Sequence, residues 1–129
     1  MSADTPRPKR RRGKRFFIGG TEWRVEVVPR SDPRLVEDGE KLDGRCTPEQ
    51  CLVLIADDLS SEAREELFVH EALEHAINHI SGARHEMGLR CRSAKAADEH
   101  EERIVRARTP LLHRLLKDLG FRFPKGLLK

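Results

Sequence analysis

A chain of 129 residues in which 37% are apolar and 36% charged can build one modest core under a polar surface, and two separate cores would be hard to form. No stretch approaches the roughly 20 apolar residues of a membrane span, and the basic N-terminus is not followed by the apolar segment of a secretory signal. The net charge of +3 is unevenly placed: residues 1–15 hold seven basic residues against Asp4, which leaves the remainder net acidic.

In chain order, residues 1–14 lack apolar content and include Pro6 and Pro8, so they are expected to be a disordered arm ahead of a single domain over 15–129. Within and beside it, Arg10, Arg11, Arg12, Lys14 and Arg15 form a polybasic cluster without aromatic residues, a composition suited to salt-dependent, non-specific contact with nucleic-acid phosphates. Phe16-Phe17-Ile18, Gly19-Gly20 and Trp23 to Val28 predict a β-hairpin, with Trp23, Val25 and Val27 on one face. Residues 30–41 are polar, carry Pro33 and Gly39, and predict a loop. Leu42 to Arg45 and Cys51 to Ile55 predict a second strand pair around the turn Thr47-Pro48-Glu49-Gln50, the apolar run of the last strand implying burial on both faces. Three cysteines cannot all pair within the chain, so Cys46, Cys51 and Cys91 are expected to be small buried thiols in a reducing, cytoplasmic setting. Their spacing makes a structural zinc cluster the lesser alternative.

Ser60 or Ser61 can cap a helix whose first turn carries Glu62 and which runs to about Ser81, with Gly82 as the stop. Residues 83–95 predict a loop. A helical stretch begins near Ala96, and Thr109-Pro110 predicts a fresh N-cap and first position, followed by an apolar stripe of Leu111, Leu112, Leu115, Leu116 and Leu119. The order is α+β: a small antiparallel sheet of about three or four strands packed on a helix and a C-terminal helical segment.

Residues 68–80 concentrate three histidines and two glutamates on a helix that also supplies the core. Val69, Ala72, Leu73, Ala76, Ile77 and Ile80 trace the buried stripe at about 100° per residue. Hydrolysis at a bound zinc ion needs two ligands on neighbouring turns, an adjacent carboxylate base and a third ligand from elsewhere. His70-Glu71 begins that pattern, with Glu71 as base, but position 74 is Glu and the next histidine is His75. A straight helix pairs His70 with Glu74. Pairing His70 with His75 requires a one-residue bulge of the π type. With Glu74 in place of a second imidazole the site would be harder and would admit manganese as well as zinc.

On these residues the chain resembles the small phage- and prophage-type zincin-like metallopeptidases. The resemblance runs over most of 16–118, through the Gly-turn hairpin, Leu42-Asp43-Gly44, the lead-in from Ile55 to Ser60, Leu67-Phe68-Val69-His70-Glu71 and Ala76-Ile77. The stretch Glu101-Glu102-Arg103-Ile104-Val105-Arg106-Ala107, with Leu112, Leu115-Leu116 and Asp118, resembles that family's second helix. The resemblance implies a zincin-like fold, a third metal ligand at Glu102, and peptidase action on a specific protein partner. It also implies His at position 74, where this chain has Glu74-His75. An inactive zincin-like module that contacts nucleic acid through its arm is the alternative. His100, two residues before Glu102, is an alternate third ligand. His79, on the row of Glu71 and His75, is a group that could orient a ligand. His85 and His113 carry no spacing argument.

Overall fold

The computed structural model describes residues 13–129, the side chain of Leu73 excepted. The expected disordered arm and its Arg10, Arg11 and Arg12 therefore lie almost wholly outside the described residues, as does the side chain of Leu73 in the expected stripe. Lys14 and Arg15 belong to the first strand, and Arg15 pairs with Glu22 at 3.4 Å.

The strands are β1 (Lys14–Ile18), β2 (Thr21–Val28), β3 (Val36–Glu37), β4 (Glu40–Lys41), β5 (Gly44–Thr47) and β6 (Leu52–Ala56). A four-stranded sheet has the order β1-β2-β6-β5, while β3 and β4 form a separate small hairpin. The mixed α+β class therefore holds, with one correction: the sheet is not antiparallel throughout. β2 and β6 run parallel, Arg24 opposite Leu52, while β1–β2 and β5–β6 are antiparallel. Apolar alternation reads local hairpins but carries no information on the direction in which two hairpins join. The central position of β6 agrees with its burial, since Val53, Leu54, Ile55 and Ala56 are all 0–1% exposed. The expected loop over 30–41 also contains a 3-10 turn at Pro33–Leu35, capped by Asp32, and its Leu35 fills a cluster under the sheet with Val28, Leu54 and Ala56.

Ala56 N–H donates to Asp43 C=O at 2.8 Å, which makes 43/56 a hydrogen-bonded pair of the β5–β6 ladder. Such pairs alternate along an antiparallel ladder. Gly44 and Cys46 consequently turn their backbone groups away from β6, toward an edge that pairs with no other strand among the described residues.

A long helix follows. It begins as α1 (Ser61–Phe68), where Ser60 Oγ accepts the Ala63 N–H at 3.2 Å. It continues as a π-helical segment (Val69–Ala76) and ends as α2 (Ile77–Ile80), stopping at Gly82 with φ +83°. Phe68, Ala72 and Ala76 pack on Trp23, Val25, Val53 and Ile55 of the sheet, and the ring of Phe68 meets Phe16 and Phe123 edge-on at 5.1 and 5.5 Å. The expected stripe fails at its C-terminal end. Ile77 and Ile80 are 41% and 49% exposed, whereas Asn78 is buried. A reading at 100° throughout still places Ala76 in the core but mislays Ile77, Asn78 and Ile80, which follow the π segment.

Residues 83–95 are largely helical rather than a loop: α3 (Ala83–Arg90) packs on α4 (Ala94–Asp118). α4 is continuous, so Thr109 is not a helix cap. Pro110 leaves the Arg106 carbonyl without its usual partner on an exposed face, where water can serve it. The face of α4 that packs is not the leucine stripe either. Ala97, Glu101, Val105, Thr109 and His113, each four residues apart, are the buried positions, while Leu111, Leu115 and Leu119 are exposed. Three of those five are polar, so hydrophobic periodicity could not find the column. No helix among the described residues is long and apolar enough to cross a membrane.

Candidate metal centre

In an α-helix residue i+5 lies about 140° around the axis from residue i. The π segment removes that offset for His70 and His75: it spans eight residues and absorbs one extra position within the helix. The two imidazole rings come to 4.9 Å between centroids, at an interplanar angle of 67°. His70, Glu71 and His75 can each offer a ligand atom within 4.8 Å of the others, and this triad could hold a metal ion. Glu71 Oε1 lies 3.8 Å from His70 Nε2.

α4 closes the site from the other side. Glu102 reaches both rings, Oε1 at 3.2 Å from His70 Nε2 and Oε2 at 3.0 Å from His75 Nε2. Arg106, one turn on, donates to Glu102 at 2.8 Å. The bonds to His70 and His75 hold the Glu102 carboxyl well below the usual carboxylate range. Glu101, 8% exposed, takes the other nitrogen of His75, Nδ1, in a short contact. Burial lowers the pKa of His75, but the bonds from Glu101 and Glu102 outweigh it and place the ring at about 10. In the ion-free protein His75 is an imidazolium held between two carboxylates.

Burial raises the pKa of Glu71, with the charges of His75 and His70 opposing, and the Cys46 backbone N–H binds its carboxylate. That donor is one of the two residues that face outward from β5, so the sheet edge and the site are joined at Cys46. The Cys46 thiol itself is pushed up to about 12 by burial, with Glu71 and Glu101 adding to the effect.

Glu74 does not share the space between the rings. Its buried carboxylate turns to α4, where Arg108 Nε donates to Oε1 at 3.1 Å and Thr109 Oγ1 lies in short contact with Oε2. His79 and His100 are exposed. His113 is buried and its Nε2 lies 3.3 Å from Glu65, tying α4 to α1. The three cysteines are free, and among the described residues they belong to no cluster able to hold a metal.

Three contributors escaped the sequence reading. Glu101 was visible as half of the Glu101-Glu102 pair, whose members point about 100° apart and so can reach one ring from two sides. Arg84, in the segment expected to be a loop, donates to Asp98 at 2.6 Å and lies 3.7 Å from Glu101. Thr109, expected to be a cap, approaches His70 Nδ1 at 3.3 Å. Nothing local in the sequence signals the last two, because their partners lie on other helices. No family model, curated protein or solved structure matches the chain.

Proposed function

We propose that the chain is a zincin-like, metal-dependent peptidase that acts on an extended segment of a specific protein partner. The observation that carries the reading is the convergence of His70 Nε2, His75 Nε2 and the Glu102 carboxylate beside the buried Glu71. The donor set fits the ion: each histidine has its Nδ1 hydrogen-bonded within the protein and its Nε2 turned to the shared space, the arrangement that ligating histidines require. Two imidazoles and one carboxylate favour zinc, and with Glu74 engaged elsewhere the argument for manganese weakens.

Zinc held by His70, His75 and Glu102 would acidify water and polarise a carbonyl. Glu71 serves as general base, taking a proton from the attacking water and returning it to the leaving amine. Its raised pKa suits a group that must both accept and give up a proton, and the Cys46 N–H fixes its direction. Gly44 and the carbonyl of Cys46 offer an open strand edge to which an extended peptide can add. The body is small, at 129 residues, which favours one partner protein over broad digestion.

The test is elemental analysis of untagged protein reconstituted with zinc. About one ion per chain is expected, lost in His70→Ala and in His75→Ala. Glu71→Gln should retain the ion and lower hydrolysis of an identified substrate by about 10²–10⁴-fold. No stoichiometric metal after reconstitution would sink the reading, and salt-dependent DNA binding by the arm would then become the property to measure.

A further inference from the structure

The two histidines are held by different devices. His75 Nδ1 meets a carboxylate directly, that of Glu101. His70 Nδ1 has the hydroxyl of Thr109 instead, at 3.3 Å. A hydroxyl is ambiguous, since it can donate to an imidazole nitrogen or accept from one. With the first choice the proton of His70 sits on Nε2, and the ring has no lone pair facing Glu102 and His75. With the second it sits on Nδ1, and Nε2, which faces Glu102 Oε1 at 3.2 Å in the ion-free protein, is the nitrogen left to bind an ion.

The surroundings of Thr109 remove the ambiguity. Its Oγ1 has two acceptors at hand, the Glu74 carboxylate and the Val105 carbonyl at 2.7 Å. The single hydroxyl proton goes to one of these, and the charged carboxylate is the stronger acceptor. What Thr109 then presents to His70 is a lone pair. Glu74 is 5% exposed, and its other oxygen is held by Arg108 at 3.1 Å, so it has little freedom to turn away. Both Thr109 and Glu74 are buried, and Glu74 does not line the cavity that His70, His75 and Glu102 share.

We propose that Thr109 is a positioning residue for His70, and that Glu74, the residue that puts the histidine spacing out of step, is its anchor. The inserted position thus does two things at once: the π segment it creates brings His75 beside His70, and its side chain fixes the tautomer of His70 through Thr109. The proposal rests on the metal-site reading above.

The experiment uses the full chain and Co2+ as the probe, with affinity measured by chelator competition and geometry by the visible ligand-field bands. Metal-free circular dichroism and thermal unfolding run alongside to check the fold. Thr109→Val is expected to weaken Co2+ binding about 10- to 100-fold and to shift the bands, while Thr109→Ser, which restores a hydroxyl, stays within about threefold of the unaltered chain. Thr109→Ala replaces the valine variant if that one does not fold. Glu74→Gln, which keeps the shape and removes the charge, should fall between the two. Folded Thr109→Val and Thr109→Ala variants with unchanged affinity and bands overturn the proposal while the metal site stands. Glu74→Gln indistinguishable from the unaltered chain removes the anchor. An unaltered chain that takes up no Co2+ overturns the metal reading, and this proposal with it.

Discussion

Adding a single methyl group at Gly44 tests how closely the site helix is laid against the edge strand. A Cβ there would lie 2.7 Å from Leu67 Cδ2, 3.0 Å from Leu67 Cγ and 2.8 Å from the Leu54 carbonyl oxygen. Ordinary contacts between carbon atoms begin near 3.5 Å, so the overlap approaches an ångström against two neighbours at once. Leu67 can rotate. The Leu54 oxygen cannot move without disturbing the β5–β6 ladder, whose register pairs Arg45 with Leu54. Overpacking of this kind costs about 1–3 kcal/mol, and the backbone partner places Gly44→Ala in the upper part of that range. At about 4 °C per kcal/mol for a domain of this size, the metal-free unfolding midpoint should fall by roughly 8–12 °C. Leu67→Ala destabilises by itself but removes two of the three close contacts. The double variant should therefore be more stable than the sum of the singles implies, by about 0.5–3 kcal/mol. Thermal and urea unfolding of the four proteins in a chelator decide the matter. A Gly44→Ala midpoint equal to the unaltered one, or strict additivity, would refute the packing argument.

Two further predictions concern the ion-free protein. His75 has its pKa raised from 6.5 to about 10, so the stability it contributes is fully present below about pH 6.5 and is lost as pH rises toward 10; burial of Glu71 acts in the same direction. The midpoint should accordingly decline from pH 7 to pH 10, and a flat or rising profile would contradict the bridge from Glu101 through His75 to Glu102. Ser60→Ala removes the cap on the Ala63 N–H and should cost about 1 kcal/mol, read as a lower urea midpoint at unchanged m-value.

The sequence made legible whatever depends on neighbours in the chain. The β1–β2 hairpin follows from Gly19-Gly20 and the alternation of Trp23 and Val25, the helix start from Ser60, and its end from Gly82. The open choice between Glu74 and His75 was also visible there, together with the π bulge that the second pairing would need. The tertiary direction of β2 against β6 was not, because nothing in either strand encodes which neighbour it will meet. Ile77 and Ile80 were misplaced for a related reason: a helical period is only as good as the assumption that the helix is regular. Glu101, Thr109 and Arg84 act on groups 14 to 39 positions away in the chain. Their types are ordinary for helix surfaces, so only the docking of α4 shows what they do.

That docking has a thermodynamic consequence. Along the column from Ala97 to His113, α4 sets Glu101, Thr109 and His113 against polar and charged groups of the site helix. Exposing apolar surface raises the heat capacity of unfolding, whereas exposing polar surface lowers it. Release of α4 therefore adds less to the heat capacity of unfolding than an apolar interface of the same size would, although it dismantles the space between His70, His75 and Glu102. The sheet and α1, tied by Trp23, Val53, Ile55 and Phe68, form a more apolar and firmer unit. Amide exchange should divide the chain along that boundary, with α4 opening at a lower free energy than β2 and β6.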